Sequence, residues 1–359
     1  MIQIKMEKRI TVSKGFSVLI RIFTLFLSII IIGILFAIYG INPLEAYAKI
    51  FISAFGSEFG LSETIVKMIP IGLCATGLTI AYKARVLNIG AEGQLILGAM
   101  AATWIALYSN IPSSLMGLMM LLAGFAAGAL WALIPAILKI KLNVNEVITT
   151  LMMNYISLEL LNYVLTGPWK GLTQRGFPLT DPFPSYARFP VIEGTRIHYY
   201  TLILLLLSVI TLYVIMNRSR IGYEIKVVGS NPEAARYAGM SVSKSILIAM
   251  LVSGGLAGMS GVGEVAGVQG RLIEKISPGY GYTAIIPAWL GGLNPMWTLL
   301  ASFFISGLMV GSDSIQVSLR LRASLVDVFN GMILLFFICG EALARYRILI
   351  EVGGRRIWI

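Results

Sequence analysis

Long, predominantly apolar runs recur along this chain, and a run of about 17–25 such residues has one main physical use, as a helix crossing the hydrocarbon core of a bilayer. They cover residues 18–39, 64–82, 86–108, 114–138, 144–165, 199–216, 245–268, 297–317 and 325–343, with a shorter, glycine-interrupted stretch at 282–292. The pattern predicts an all-α membrane protein of about ten transmembrane helices, one of them short or broken, in a single polytopic domain over residues 1–359. Because 57% of the 359 residues are hydrophobic and only 13% charged, no room remains for a soluble catalytic domain. The first run follows Lys5, Lys8, Arg9 and Lys14 and is too long for the core of a cleaved signal peptide, so it should stay as an anchor.

The net charge of +11 arises from basic loops rather than from a nucleic-acid surface, so nucleic acid is not expected as a partner. With the N-terminus in the cytoplasm, most lysines and arginines fall in internal segments: the head 1–17, the short turns with Lys83, Arg85, Lys139 and Lys141, the loop 217–244 and the tail 344–359. The excess of internal over external charge places the chain in the cell membrane with both termini cytoplasmic. If 282–292 did not cross, Arg320 and Arg322 would face inward and the tail arginines outward, so an even count fits better. The external loop 167–197 carries Pro168, Pro178, Pro182, Pro184 and Pro190, which favour extended backbone. It either meets an extracytoplasmic partner or caps the bundle.

Ionisable groups within spans are costly and mark functional candidates, here Lys67, Glu92, Glu146, Glu159, Glu264, Asp313 and Asp327. The plainer reading of each is a structural pair or an interfacial cap. Glu146 illustrates it, since Asn145-Glu146 opens a helix just after Lys139 and Lys141. Two segments are harder to explain that way. Asn88-Ile89-Gly90-Ala91-Glu92-Gly93-Gln94 places two amides and an acid at the start of a span, separated by glycines that let backbones approach or the helix break. The segment 145–163 puts Thr150, Asn154 and Ser157 on one helical face and Tyr155, Glu159 and Asn162 on another. Asn88, Glu92, Gln94, Thr150, Asn154, Tyr155 and Glu159 are therefore the candidate substrate path. The glycines Gly90, Gly93, Gly98, Gly124, Gly128, Gly254, Gly255, Gly258, Gly261 and Gly263 serve close packing or pore lining.

Chemistry of other kinds lacks residues. Cys74 and Cys339 lie in apolar runs with no metal-ligand spacing, and His198 is the only histidine. No glycine-rich phosphate loop ends in Gly-Lys-Ser or Gly-Lys-Thr, and HExxH, CxxC and GxSxG patterns are missing. The chain is expected not to be an enzyme and to carry no cofactor of its own.

The loop 217–244 reads as a small capped helix. Asn231 is the N-cap, Pro232 the favoured first residue, Glu233 a first-turn acid, Arg236 a late base and Gly239 the stop. A two-turn helix is marginal alone and must pack on something. With Ala234, Ala235 and Tyr237 it either docks a soluble subunit or lies on the membrane headgroups.

Four segments together resemble the transmembrane permease subunits of ATP-binding-cassette (ABC) importers, in the group that includes simple-sugar, branched-chain amino-acid and nucleoside systems. They are the 88–94 and 145–155 segments, Gly229-Ser230-Asn231-Pro232-Glu233-Ala234-Ala235-Arg236-Tyr237-Ala238-Gly239, and Ala284-Ile285-Ile286-Pro287-Ala288-Trp289-Leu290-Gly291-Gly292. The 145–155 segment resembles nucleoside permeases in particular. The resemblance implies a type II-like, ten-helix importer half that receives its substrate from an extracytoplasmic binding lipoprotein. It further implies a cytoplasmic ATP-binding subunit that hydrolyses the ATP, a second and different permease subunit, and a coupling role for 231–239. After Gly292 the chain reads Leu293-Asn294-Pro295-Met296, where related proteins often carry another glycine.

Two other classes remain. An ion-coupled secondary transporter would draw on Glu92, Glu159, Glu264 or Asp313, and a membrane scaffold would have no need of them. Nucleosides and simple sugars such as ribose call on the same polar groups, with aromatic rings such as Tyr155, Trp104 or Trp289 available for a base.

Overall fold

The computed structural model describes residues 2–8, 14–171, 176–319, 346–352 and 355–358, with scattered helical positions between 328 and 340. The chain divides into two compact units, one of residues 58–307 and one of residues 1–57 with 308–359.

The larger unit is helical. It contains α3 (Glu58–Lys83), α4 (Ala91–Tyr108), α5 (Ser113–Leu142), α6 (Glu146–Thr166), α7 (Tyr199–Arg218), α8 (Arg220–Ser230), α9 (Pro232–Tyr237) and α10 (Val242–Gly263). A π-helical turn, Glu264–Gln269, extends α10 and is followed by two short helices, α11 (Tyr280–Thr283) and α12 (Ile285–Leu290). The long helix α13 (Pro295–Ser318) begins in this unit. Helices α3 and α10 form its centre: the most apolar windows of these two are 89% and 72% buried, against 33% for α5 and 28% for α7.

Glycine decides how close these helices come. A Cβ on Gly98 would lie 2.1 Å from the Gly258 carbonyl oxygen, one on Gly258 2.0 Å from that of Gly124, and one on Gly128 2.1 Å from that of Gly254. Backbone thus meets backbone where α4, α5 and α10 cross, and of the two roles left open for these glycines the structure realises close packing.

In the smaller unit α1 (Lys14–Ile38) turns into α2 (Pro43–Phe55). The segments Phe26–Ile38 and Pro43–Phe55 meet at 115°. Ile32, Phe36, Ala46, Ile50 and Ile315 form its core, and Ser314 hydrogen-bonds Ser53 at 2.8 Å. The two ends of the chain pair as an antiparallel sheet. β1 (Ile2–Lys8) lies against β2 (Tyr346–Val352) in the register Ile2↔Val352 to Lys8↔Tyr346, and β2 against β3 (Arg355–Trp358). The expected all-α class therefore holds for the body of the protein, while its ends are strands. Their signal was the period-2 alternation of Ile2, Ile4 and Met6 with Gln3, Lys5 and Glu7.

Among the described residues five helices are long and apolar enough to cross a membrane, or up to six if the bent α1–α2 pair counts as one. α4 and α6 form where spans were expected, but Glu92 and Gln94 in one, and Glu146, Asn154 and Glu159 in the other, make them more polar. The expected tenth stretch, 325–343, and Asp327 lie largely or wholly outside the described residues. Helix α2 was not anticipated, although its start was legible: Asn42 accepts the Leu44 N–H at 3.1 Å, ahead of Pro43 and Glu45.

Candidate functional site

After α3 ends at Lys83, the chain turns back through Arg85 in the left-handed region (φ 58°) and runs without helix as far as Gly90, where α4 begins. Free backbone groups buried there must be paired by protein. The side chains predicted as a polar path do this. Buried Asn88 donates to Gln94 Oε1 and to Ser253 Oγ, each at 3.0 Å, and Gln94 Nε2 donates back to Asn88 Oδ1 at 3.2 Å. Thr150 Oγ1 accepts the Ile89 N–H at 3.2 Å. Asn154 accepts the Gly93 N–H and donates to the Ile89 carbonyl, both at 2.9 Å, and donates to the Tyr282 hydroxyl at 3.0 Å. Glu92, 4% exposed, accepts the Gly281 N–H at 2.7 Å.

Asn88, Glu92, Gln94, Thr150 and Asn154 are thus brought to one buried junction that joins the start of α4 to α6, α10 and α11. Much of their hydrogen-bonding capacity is engaged within the protein, which fixes the start of α4 against its neighbours. Tyr155 and Glu159 are not part of it. They lie on the opposite, exposed face of α6 with Met152, Ile156 and Tyr163. Of the aromatic candidates, Trp289 is stacked on Tyr82 (centroids 5.1 Å, 15° between planes), whereas Trp104 and Tyr155 are exposed. Glu146 takes the structural role: its carboxylate lies 2.6 Å from Lys139 Nζ, and Asn145 caps the helix by accepting the Val147 N–H at 2.9 Å.

The second predicted cluster, 231–239, folds as its local chemistry requires. Asn231 Oδ1 accepts from the N–H groups of Glu233 (3.0 Å) and Ala234 (3.2 Å), Pro232 opens α9, and Gly239 ends it at φ 75°. Ahead of it, α8 is an unanticipated helix that Ser219 caps through the Gly222 N–H at 3.1 Å. A Cβ on Gly229 would fall 1.8 Å from the Lys83 carbonyl oxygen, so α8 presses directly on the end of α3. Ala235 is fully buried, which corrects its expected place on the docking face. The outward face consists of Glu233, Ala234, Arg236, Tyr237 and Ala238, with Tyr237 94% exposed.

Residues 60–338 match the protein family described as branched-chain amino acid transport system / permease component. The chain belongs to this family. It is an ABC importer permease subunit, a transport component of a multi-pass membrane complex rather than an ATPase. Among its relatives, the glucose ABC transporter permease protein TsgB13 of Haloferax volcanii is 36% identical over 99% of this chain and 96% of its own. The guanosine ABC transporter permease protein NupP of Bacillus subtilis is 32% identical over 85% of this chain and 88% of its own. The nucleoside ABC transporter permease protein NupB of Lactococcus lactis is 30% identical over 84% and 85%. Among solved structures, PsaBC from Streptococcus pneumoniae in complex with Fab covers 83% of this chain and 95% of its own at 15% identity, with a TM-score of 0.42.

In this permease subunit the proline-rich loop caps the bundle. Thr180 N–H donates to the Leu272 carbonyl at 3.1 Å, Leu272 N–H returns to Thr180 Oγ1 at 3.0 Å, and Phe183 N–H reaches the Gly270 carbonyl at 2.8 Å. Phe183, Ala187, Phe189 and Ile197 of the loop are themselves buried. Phe189 N–H also takes the Ala266 carbonyl at 2.8 Å, within the π-helical turn. Two buried polar side chains flank that turn, Glu264 within it and His198 just before α7. In the sequence Glu264 stood out as one of six acids within the expected spans and as one of four candidates for a coupling-ion site. Among the described residues no group of histidine, cysteine and carboxylate side chains is arranged to hold a metal ion.

Proposed function

We propose that this subunit pairs with a second, different permease chain to form the path of an ATP-driven importer for nucleosides, delivered by an extracytoplasmic binding lipoprotein. The single observation that carries the reading is the α8–α9 pair. Gly229 and Ala235 anchor it to the bundle while Tyr237 stands out at 94% exposure, a shape suited to the groove of a cytoplasmic ATP-binding subunit. Movement of that subunit would reach α3 directly through Gly229.

The exposed face of α6 supports the second permease. Glu159 on a lipid-facing helix would cost about 2.5–3.5 kcal/mol, so a neighbouring chain or a water-filled path should cover it. The paired ends of the chain support termini on the same side and hence an even number of crossings, consistent with ten. The internal excess of lysine and arginine supports the cytoplasmic side. The nucleoside assignment draws on the 145–155 segment and on the relatives named for guanosine and nucleosides. A free sugar is the alternative reading, favoured by the 36% identity over 99% of the chain to a permease named for glucose.

Uptake of radiolabelled guanosine by cells carrying the complete transporter tests this. Guanosine should be taken up and excess glucose or ribose should compete poorly. Strong competition by free sugar would favour the alternative reading, and uptake that follows an ion gradient without ATP hydrolysis would overturn both.

A further inference from the structure

Three other acids have a named partner: Glu92 takes the Gly281 N–H, Glu146 takes Lys139, and Glu63 takes Arg196 at 3.2 Å through one of its oxygens. Glu264 differs. It is 3% exposed, and among the described residues no hydrogen bond reaches its carboxylate. The charges of Arg196, Lys67 and Glu92 act on it. It opens a π-helical turn, a rare interruption frequently found at functional positions. On the same turn the His198 ring packs where side chains of Gly263 and Gly267 would stand, with its Cγ 2.5 Å from the site of a Gly267 Cβ. His198 is fully buried, and neither of its ring nitrogens has a hydrogen-bond partner among the described residues.

The buried His198 nitrogens forfeit their hydration with nothing in exchange, and Glu264, at the head of the turn against which that ring packs, has no hydrogen bond within the described residues, more than packing alone retains. Their unmet capacity is that of a site whose ligand brings the missing donors and acceptors. Nucleosides and hexoses differ in most respects but share adjacent hydroxyls on a sugar ring, and a carboxylate can accept from two such hydroxyls at once.

We propose that Glu264 is a solute-recognition residue whose carboxylate accepts hydrogen bonds from adjacent ring hydroxyls as the solute passes the outer end of α10. The inference rests on the reading of the chain as an importer of sugar-bearing solutes. The strap of residues 179–189, bonded to Ala266, Gly270 and Leu272, covers this position, so the solute must enter as the strap shifts.

The test compares probes with and without the hydroxyls, guanosine against 2′,3′-dideoxyguanosine and glucose against 2-deoxyglucose, in vesicles holding the whole transporter. Maximal uptake rates are taken at saturating probe, in the wild type, Glu264→Met and Glu264→Asp. The binding protein is the same throughout, so a change in preference between variants reports on the residue. The wild type should favour the hydroxylated probe by roughly ten-fold or more, as expected for a charged hydrogen bond. Glu264→Met, of similar volume, should lose most of that preference, and Glu264→Asp should keep part of it. If Glu264→Met does not assemble, Glu264→Gln must reduce the preference at least about three-fold. A Met or Gln variant that keeps the wild-type preference overturns the inference while leaving the importer reading intact. Transport of neither guanosine nor glucose by the wild type overturns that reading and the inference with it.

Discussion

Gly281 donates its backbone N–H to the Glu92 carboxylate at 2.7 Å across 189 positions of sequence, and there is no room at Gly281 for any side chain, since a Cβ would lie 2.2 Å from the Glu92 nitrogen. This contact ties the first turn of α4 to the broken segment that follows α10. Glu92→Ala would leave the Gly281 N–H buried and unpaired, at a cost of about 1–3 kcal/mol. Glu92→Gln keeps an acceptor oxygen and should be clearly milder. Thermal midpoints of the purified complex and uptake rates check the order, and an Ala variant as stable as the Gln variant would show the contact to be incidental.

Tyr237 and Ala235 sit two residues apart in α9 and should respond differently. Tyr237→Ala alters only the outward face, so the subunit should accumulate normally but lose co-purifying ATPase and solute-stimulated hydrolysis. Ala235→Glu buries an unpaired charge and should reduce the amount of folded subunit itself. Asn231→Ala removes a cap and should cost about 1 kcal/mol. Full ATPase association by Tyr237→Ala would remove α9 from the coupling interface.

Leu293 adopts φ 59° immediately after Gly292 at φ 61°, in the turn between α12 and α13. A side chain in the left-handed region carries strain of about 1–2 kcal/mol. Leu293→Gly should leave stability unchanged or raise it by up to about 1 kcal/mol, whereas the β-branched Leu293→Val should lower it. A melting series in which Val exceeds Gly would contradict the strain assignment.

Burial pushes His198 down from its usual 6.5 to about 4, so the imidazole is neutral in the folded protein at neutral pH. The unfolded chain takes up this proton first as pH falls, and stability is therefore lost between about pH 6.5 and 4. The thermal midpoint should drop across that window, and His198→Gln should flatten the drop. An unchanged slope in that variant would assign the acid sensitivity elsewhere.

The sequence by itself determined what is local. Apolar run length set the helices, and short-range cap chemistry set the starts of α6 and α9 at Asn145 and Asn231, because those interactions span two or three residues. The motifs at 88–94, 145–155 and 229–239 also sufficed to indicate the permease family. Only the tertiary structure decided which polar groups are engaged. Asn88 finds Ser253, Asn154 finds Tyr282 and Glu92 finds Gly281 across 128 to 189 positions, and no periodicity records such pairings. The same holds for what was misplaced or missed. Ala235 faces inward because α8 brings α9 back onto the bundle, and Trp289 is taken up by Tyr82. Glu264 and His198 stand apart because the turn that Glu264 opens, and against which His198 packs, breaks from α-helical geometry. A side chain's chemistry is written in the sequence, but whether it has a partner depends on backbone brought close from elsewhere in the chain.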